Sequence, residues 1–158
     1  LSYKPNSDEN LKYVAFLDVL GFSALVESTE KDLIEKYFRT VIVELDQVRM
    51  LLGVQKAQHF ESVLISDSIV LALPFENSAD NLKSLLNGIS KIQRNLALED
   101  IWLRGGVAVG HLHVEDKGGQ KIVVGPGLSR AYQLESNAAG PRVILDPKIF
   151  EKLNTDRA

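Results

Sequence analysis

Apolar and polar positions alternate along the chain in two ways, and the two patterns predict strands and helices in turn. Short apolar and β-branched runs bounded by Gly, Pro or polar turns predict buried strands. Stretches with an apolar residue at every third or fourth position predict amphipathic helices that pack on a sheet. In chain order the predicted elements are strand 12–19, helix 29–52 with Gly53 as its C-cap, strands 58–65 and 68–73, a helix capped by Asn77 or Ser78, strands 101–114 and 121–124, helix 128–136, strand 142–146 and a terminal helix begun by Pro147.

This order of elements predicts an α+β fold built on a ferredoxin-like βαββαβ core. The strands are expected to form a largely antiparallel sheet, with the helices covering one face. Residues 1–158 are expected to be one domain with its core at about 12–146, because no linker, repeat or low-complexity tract interrupts the pattern. The chain starts at Leu1 rather than Met, and its last residues, 154–158, stop without a closing element, so we expect residues to be missing at both ends.

Composition excludes several classes of protein. The chain is 45% hydrophobic and 25% charged, which is the balance of a soluble globular domain. Its net charge of −3 argues against nucleic acid or an anionic membrane as a partner, because proteins that bind these usually carry a basic excess. No apolar run reaches the ~20 residues that a membrane span needs, and no signal peptide is visible. The absence of Cys excludes disulfides, thiol nucleophiles and Cys-bound zinc, and it fits a cytoplasmic location.

Two carboxylates stand where the predicted fold would bring them together. Asp18 ends the first strand among apolar residues, and Asp67 lies at the tip of the hairpin. Neighbouring carboxylates repel each other unless a cation lies between them, and oxygen ligands suit Mg²⁺ or Mn²⁺. Asp67 could instead be an ordinary turn residue, since Asp is common in turns. Asp18 is harder to explain in this way, because an Asp within an apolar strand is costly unless it is paired.

The segment that follows Asp18 has features of a phosphate site. Gly21 allows a ligand to approach the backbone closely, and the turn into a helix offers free N–H groups near a helix N-terminus. A single Gly after a strand is weak evidence alone. It gains weight from the candidate metal ligand beside it, because phosphates and magnesium bind together in phosphoryl-transfer sites.

Four segments resemble motifs of the class III nucleotidyl cyclases, in the order in which that family has them. They read FLDVLGFS at 16–23, ISDSIVLALP at 65–74, LRGGVAVG at 103–110 and VVGPGLSRAYQLE at 123–135. The family's hairpin usually carries Gly-Asp, where Ser66 and Asp67 stand here. The resemblance extends over about residues 12–146 and implies the class III cyclase fold.

The resemblance also implies a two-metal site shared between the subunits of a homodimer. Asp18 and Asp67 would hold two divalent ions, Mn²⁺ or Mg²⁺, with the Val19 carbonyl as a further ligand. One ion would activate the ribose 3′-hydroxyl of a nucleoside triphosphate, and the other would steady the leaving pyrophosphate. The loop residues that would cradle the triphosphate are Val19, Gly21, Phe22 and Ser23. Half of each site would come from the second subunit.

The chain departs from the family where purine cyclases recognise the base. Val63 replaces a Lys four residues before the hairpin Asp, and Ile122 replaces a polar residue, often Asp, three residues before the Gly of the last motif. The pattern GP-x-x-x-RAY-x-LE at 125–135 resembles the bacterial pyrimidine cyclases of the Pycsar anti-phage system, whose cyclic nucleotide acts on a separate effector. The resemblance therefore implies a uridylate cyclase that makes 3′,5′-cyclic UMP from UTP. A cytidylate cyclase is the alternative.

The later helix departs from the family as well. Ser129 and Gln133 stand where the family usually has the Asn and the Arg that steady the transition state. Arg130, one residue off that pattern, or Arg104 on the neighbouring strand would then supply a cation to the triphosphate. Two other interpretations remain: a catalytically silent cyclase-like module that senses a nucleotide or dimerises, and a diguanylate-type enzyme. The absence of a GG-D/E-E-F run at the hairpin argues against the second.

Overall fold

The structure is a computed structural model, and it describes residues 10–27, 31–76 and 78–155. Its strands are β1 (Leu11–Val19), β2 (Glu61–Ile65), β3 (Ser68–Pro74), β4 (Leu103–His111), β5 (His113–Lys117), β6 (Gln120–Val124) and β7 (Val143–Leu145). Its helices are α1 (Phe22–Glu27), α2 (Lys31–Ala57), α3 (Asp80–Ala97), α4 (Pro126–Ser136) and α5 (Lys148–Thr155). None of the described helices is long and apolar enough to cross a membrane.

The main sheet within the described residues has five strands in the order β2-β3-β1-β4-β7. The first three pairings are antiparallel, and β7 pairs with β4 in parallel. β5 and β6 form a separate antiparallel hairpin. The α+β class and the βαββαβ core predicted from the sequence are confirmed, with β1 and the β2–β3 hairpin as neighbours.

Helices cover both faces of this sheet, so the prediction that they cover only one face is wrong. Tyr13 and Leu17 of β1 point into a core formed with α2 and α3, whereas Val14 points into a second core formed with α4. The reason lies in the position of β1 at the centre of the sheet. A central strand is buried on both faces and therefore reads as a continuous apolar run rather than an alternating one. Asp18 has the same parity as Val14, so its side chain lies on the α4 face.

Several element boundaries also differ from the predicted ones. The helix predicted at 29–52 is α2, and it resumes beyond Gly53, whose φ of 73° and ψ of 168° interrupt the helical geometry. The short helix α1 was not predicted. The strand predicted at 101–114 divides at Leu112, whose N–H bonds the Asn10 carbonyl before the chain turns into β5. The N-cap of α3 is Ala79 rather than Ser78, although the Ser78 hydroxyl accepts the Asp80 N–H; Asn77 lies outside the described residues.

Glycines let α4 lie almost directly on β4. A Cβ at Gly106 would stand 2.4 Å from the Ala131 carbonyl oxygen, and one at Gly110 would stand 2.7 Å from the Gly127 Cα. Both distances are far inside van der Waals contact, so any larger residue would push the helix away. This close approach brings the C-terminal turn of α4 over the end of β4 that pairs with Asp18.

Candidate active site

The end of β1 and the tip of the β2–β3 hairpin meet at one point of the sheet. Asp18 pairs with Ser68 in the ladder, and the Ser68 hydroxyl donates a hydrogen bond of 3.2 Å to Asp18 Oδ1. The Val19 N–H donates to the Asp67 carbonyl at 3.2 Å, which ties the hairpin turn to β1. Ser66 takes a left-handed φ of 54° and closes the two-residue turn. Asp18 and Asp67 therefore lie side by side, although their role as metal ligands stays a prediction.

The electrostatics of Asp18 favour a bound cation. Burial, together with the neighbouring charges of Asp67 and Glu135, raises the pKa of its carboxyl to about 6, while the hydrogen bond from Ser68 acts in the opposite direction. Asp67 raises the pKa of Asp18 both as a neighbouring charge and as a hydrogen-bonding partner. Two neighbouring carboxylates cannot both stay ionised at low cost unless a proton or a metal ion lies between them.

An arginine and a third, buried acid adjoin the pair. Arg104 lies opposite Asp18 in the β1–β4 ladder, with its Nη2 at 3.9 Å from Asp18 Oδ2. Its Nε donates to Glu135 of α4, whose side chain is 3% exposed. The guanidinium is thus held from behind by Glu135 and presented towards Asp18, where it could contact an anionic substrate.

Glu135 is a residue that sequence reasoning missed. The signal was present in the period of α4, because Ala131, Leu134 and Glu135 follow the spacing of three and four that marks a buried helix face. A Glu at such a position requires a partner, since an unpaired buried charge is costly. Only the packing of α4 on β4 identifies that partner as Arg104.

The donor set at this point fits a divalent ion. Two carboxylates and the Val19 carbonyl are oxygen ligands of the kind that Mg²⁺ and Mn²⁺ prefer. No group of three or more His, Asp or Glu side chains in the described ranges is arranged to hold a metal. An ion bound here would therefore take its remaining ligands from water or from substrate oxygens.

The loop after β1 has fewer free amides than the resemblance implies. The Val19 N–H already donates to Asp67, and the Leu20 N–H donates to the Trp102 carbonyl at 2.8 Å. Gly21 has a φ of 71°, a conformation that costs glycine little, and it turns the chain into α1. The N–H groups of residues 21–23 are the ones that remain for a phosphate, because the first amides of a helix lack intrahelical partners.

The two positions at which purine cyclases carry their base-recognising residues lie on β2 and on the β5–β6 hairpin. Val63 of β2 packs against the core on the α4 face, and Ile122 of β6 is 37% exposed. The β5–β6 hairpin docks on β2, because Lys121 Nζ lies 3.4 Å from both the Ser62 carbonyl oxygen and Glu61 Oε2. Val123, not Ile122, packs against the core that contains Val63, so Ile122 lies on the other, exposed side of the hairpin. A shared role of Val63 and Ile122 in recognising the base stays a prediction.

An apolar groove of about 450 Å³ opens along α4, next to this face of the sheet. Ser129 and Gln133 line it together with Phe16 and Leu128. Tyr132 is 54% exposed, and its ring meets that of Phe16 edge-on with 5.3 Å between ring centroids. Of the apolar residues that line the groove, Tyr132 is exposed, whereas Phe16 and Leu128 are half-buried.

Arg130 points elsewhere. Its Nε donates to Asp146 Oδ2 at 2.7 Å, and the Asp146 side chain is 2% exposed. Asp146 also accepts the Lys148 N–H at 3.1 Å and so caps the start of α5. Within the described residues this arginine ties α4 to α5, and it makes no contact with Asp18 or Asp67 of its own chain. A catalytic role for Arg130 stays a prediction.

The Arg130–Asp146 pair leads to a testable prediction about stability. We expect Arg130→Gln to lower the melting temperature at pH 7, because Asp146 would keep a buried charge without its partner. The hydrogen bond from Arg130 is the largest of the effects that lower the pKa of Asp146. A lowered pKa stabilises the folded state above about pH 4, and that stabilisation disappears as pH falls through the folded-state pKa.

The difference in melting temperature between wild type and Arg130→Gln should therefore narrow as the pH falls below about 4, the ordinary pKa of an Asp carboxyl. Arg142→Gln, at an exposed position, is the matched control and should show a smaller loss at every pH. Equal melting temperatures for wild type and Arg130→Gln at pH 7 would show that the pair does not stabilise the fold.

Comparison with solved structures identifies the fold, whereas comparison of sequences finds nothing. No model of a protein family and no curated protein matches the chain. The dimeric guanylyl cyclase domain of the RhoGC fusion protein from the aquatic fungus Blastocladiella emersonii aligns with a TM-score of 0.67 and 16% identity, over 92% of this chain and 84% of that one. An adenylate cyclase from Trypanosoma brucei, solved in its monomeric state, aligns with a TM-score of 0.66 and 13% identity, over 99% and 82%.

A third similar structure is described as a class III adenylyl cyclase-like ATP-binding protein from Pseudomonas aeruginosa. It aligns with a TM-score of 0.65 and 13% identity, over 90% of this chain but only 34% of that one. All three resemble this chain in fold although they are only 13–16% identical to it. The chain therefore has the fold of class III nucleotidyl cyclase domains.

Proposed function

We propose that this protein is a metal-dependent uridylate cyclase, which converts UTP to 3′,5′-cyclic UMP and pyrophosphate. The observation that carries the proposal is the pair of Asp18 and Asp67 at the meeting point of β1 and the hairpin. Burial and mutual repulsion make it costly to ionise both carboxylates unless a cation binds between them. The fold supports the same class of reaction, since cyclase domains are among the proteins that share it.

In this reaction the ribose 3′-oxygen attacks the α-phosphorus, the bond to pyrophosphate breaks, and the hydroxyl proton is released. Bound Mn²⁺ or Mg²⁺ would lower the pKa of the attacking hydroxyl and neutralise charge on the phosphates. Asp18 and Asp67 would hold the ions. Arg104, oriented by Glu135, would donate to phosphate oxygens and offset the charge that builds up on the leaving pyrophosphate.

The preference for a pyrimidine is proposed from Val63 and Ile122. Neither side chain can donate or accept a hydrogen bond, so a purine would leave polar groups of its edge unpaired at these positions. The resemblance of 125–135 to pyrimidine cyclases of anti-phage defence supports the further proposal that the product is a second messenger for a separate effector in the cytoplasm. Cytidylate cyclase remains the alternative for the base.

Product analysis tests this proposal directly. The protein is incubated with MnCl₂ and each of ATP, GTP, CTP and UTP in turn, and the products are separated by liquid chromatography and identified by mass spectrometry. Cyclic UMP as the main product supports the proposal, and cyclic CMP supports the cytidylate alternative. A purine cyclic nucleotide as the main product would overturn the base assignment. The absence of a product with all four substrates would overturn the proposal that the protein is an enzyme.

A silent nucleotide-binding module is the second candidate. The observation that favours it is on α4, where Ser129 and Gln133 stand at the expected transition-state positions and Arg130 is engaged by Asp146. The Pseudomonas aeruginosa protein that shares the fold is itself described as cyclase-like and ATP-binding. Isothermal titration calorimetry with each nucleotide, together with absent product formation, would distinguish binding without turnover.

We also propose a homodimer that uses the groove on α4 as part of its interface. Tyr132→Arg would place a charge in an apolar contact, so we expect the variant to be monomeric and to lose cyclisation. Size-exclusion chromatography with light scattering measures the mass of each species. Wild-type protein that is monomeric and fully active at micromolar concentration would contradict the shared site.

A further inference from the structure

A groove of about 460 Å³ opens between α2 and α3, on the face of the sheet opposite to Asp18. Clefts that bind small molecules commonly enclose about 300–1,000 Å³. The two helices approach closely at the floor of the groove, since a Cβ at Gly88 would stand 2.9 Å from Val48 Cγ2. The groove is therefore separate from the candidate active site, which lies on the α4 face.

The two walls of the groove differ in chemistry. The α2 wall is apolar and consists of Val48, Leu51 and Leu52, whereas the α3 wall is polar. The polar residues recur at every third or fourth position, which places them on one side of α3. They are Ser84, Asn87, Ser90, Lys91 and Arg94. A ligand that fills the groove must therefore be apolar along one edge.

The direction of the two helices follows from two contacts between them. The Asn95 amide donates a hydrogen bond to the Glu44 carboxylate. Gly88 comes earlier than Asn95 on α3, whereas its neighbour Val48 comes later than Glu44 on α2. The two helices are therefore antiparallel.

This antiparallel arrangement separates an apolar end of the groove from a cationic end. Leu51 and Leu52 of the α2 wall lie towards the end marked by Ser84 on α3. Lys91 and Arg94 lie at the other end. From Ser84 to Arg94 the α3 wall extends about 15 Å, because an α-helix rises about 1.5 Å per residue. The groove is thus elongated, and it has the polarity of an amphiphile.

The two cations of the groove lack acidic partners. Neither Lys91 nor Arg94 forms an ion pair or a side-chain hydrogen bond with any residue that the structure describes. Glu44 is buried at this end of the groove, but it accepts its hydrogen bond from Asn95 instead. Two unpartnered cations one turn apart, in a chain whose net charge is −3, favour an anion, and a carboxylate can accept hydrogen bonds from both.

We propose that this groove binds one molecule of an anionic amphiphile, a carboxylate with an unbranched hydrocarbon chain. Lys91 and Arg94 would hold the carboxylate, and the chain would lie along the apolar α2 wall, where its burial from water stabilises the complex. A monomeric ligand fits better than a membrane surface, because the floor at Val48 is only 4% exposed between the two helices and the chain has no basic excess. This inference does not rest on the proposed function.

Isothermal titration calorimetry with sodium decanoate, kept below its micelle concentration, tests the proposal. We expect saturable binding at one site in wild type. Lys91→Glu and Arg94→Glu should each raise the dissociation constant by about tenfold or more, because each removes a charge-assisted contact and adds repulsion. Lys83→Glu is the matched control and should bind as wild type does, because Lys83 is exposed on α3 but does not line the groove.

A second pair of variants tests the apolar wall. Leu51 is 71% exposed, so the fold should tolerate Leu51→Ser, while decanoate should bind more weakly. Met50→Ser is its control, because Met50 is 81% exposed and does not line the groove. Decyltrimethylammonium has the same chain length and the opposite charge, and it should not compete with decanoate.

Three results would overturn the proposal. The first is wild-type protein that does not bind decanoate, or that binds decyltrimethylammonium equally well. The second is equal decanoate affinity in wild type, Lys91→Glu and Arg94→Glu. The third comes from sedimentation with phosphatidylglycerol vesicles, from which we expect the protein to stay in the supernatant. Binding to the vesicles that is lost in Lys91→Glu, without binding of decanoate, would assign the groove to a membrane surface instead.

Discussion

Asp18→Asn and Asp67→Asn should each reduce cyclisation by at least about a thousandfold, because several kcal/mol of transition-state charge stabilisation depend on the bound ions. Asparagine keeps the shape of the side chain and removes its charge. Without either carboxylate the site loses a ligand and the negative charge that attracts divalent ions. Initial rates of cyclic nucleotide formation at saturating MnCl₂ measure the loss.

The folded state should tolerate both substitutions. The environment of Asp18 raises the pKa of its carboxyl to about 6, so the ionised group weakens the fold at pH 7. Asp18→Asn removes that unfavourable charge, and its melting temperature without metal should be at least that of wild type. Asp46→Asn, on the exposed surface of α2, is the matched control and should keep full activity. Near-native turnover in either site variant would show that the two carboxylates do not bind the catalytic metal.

The second largest expected effect is the preference of the protein for UTP over the purine nucleotides. We expect kcat/KM for UTP to exceed that for ATP and GTP by between tenfold and several thousandfold, because each purine group left unpaired in a dry pocket costs about 1–3 kcal/mol. Val63 lies on β2 of the main sheet and Ile122 on β6 of the separate hairpin, and both side chains are apolar. Competition assays with all four nucleoside triphosphates in one reaction measure the ratios.

A substitution on the β5–β6 hairpin sharpens this test. Ile122→Asp introduces a polar group at a position where the family carries one, so it should reduce the discrimination against purines. Val124→Asp places the same charge on the same exposed side of the hairpin, two residues further on, and should leave the ratios unchanged. A wild-type preference for ATP or GTP would contradict the pyrimidine assignment and indicate a purine cyclase.

The sequence by itself determined the elements of the fold and the central pair of the site. The apolar run of β1, the two-residue turn between β2 and β3, and the helical periods are local signals that survive in the folded protein. Together they predict a βαββαβ core, and that core places Asp18 beside Asp67. The boundaries were less determinate, as at Gly53 and Leu112, because tertiary contacts decide where a marginal segment ends.

Only the tertiary structure decided which charges face one another. Arg104 and Glu135 are 31 positions apart, and Arg130 and Asp146 are 16 apart, so neither pair leaves a local signal. Both depend on how closely α4 approaches β4, which is set by the absence of side chains at Gly106 and Gly110. The same packing of α4 gives the sheet a second covered face, because burial and pairing belong to the assembled core rather than to any one segment.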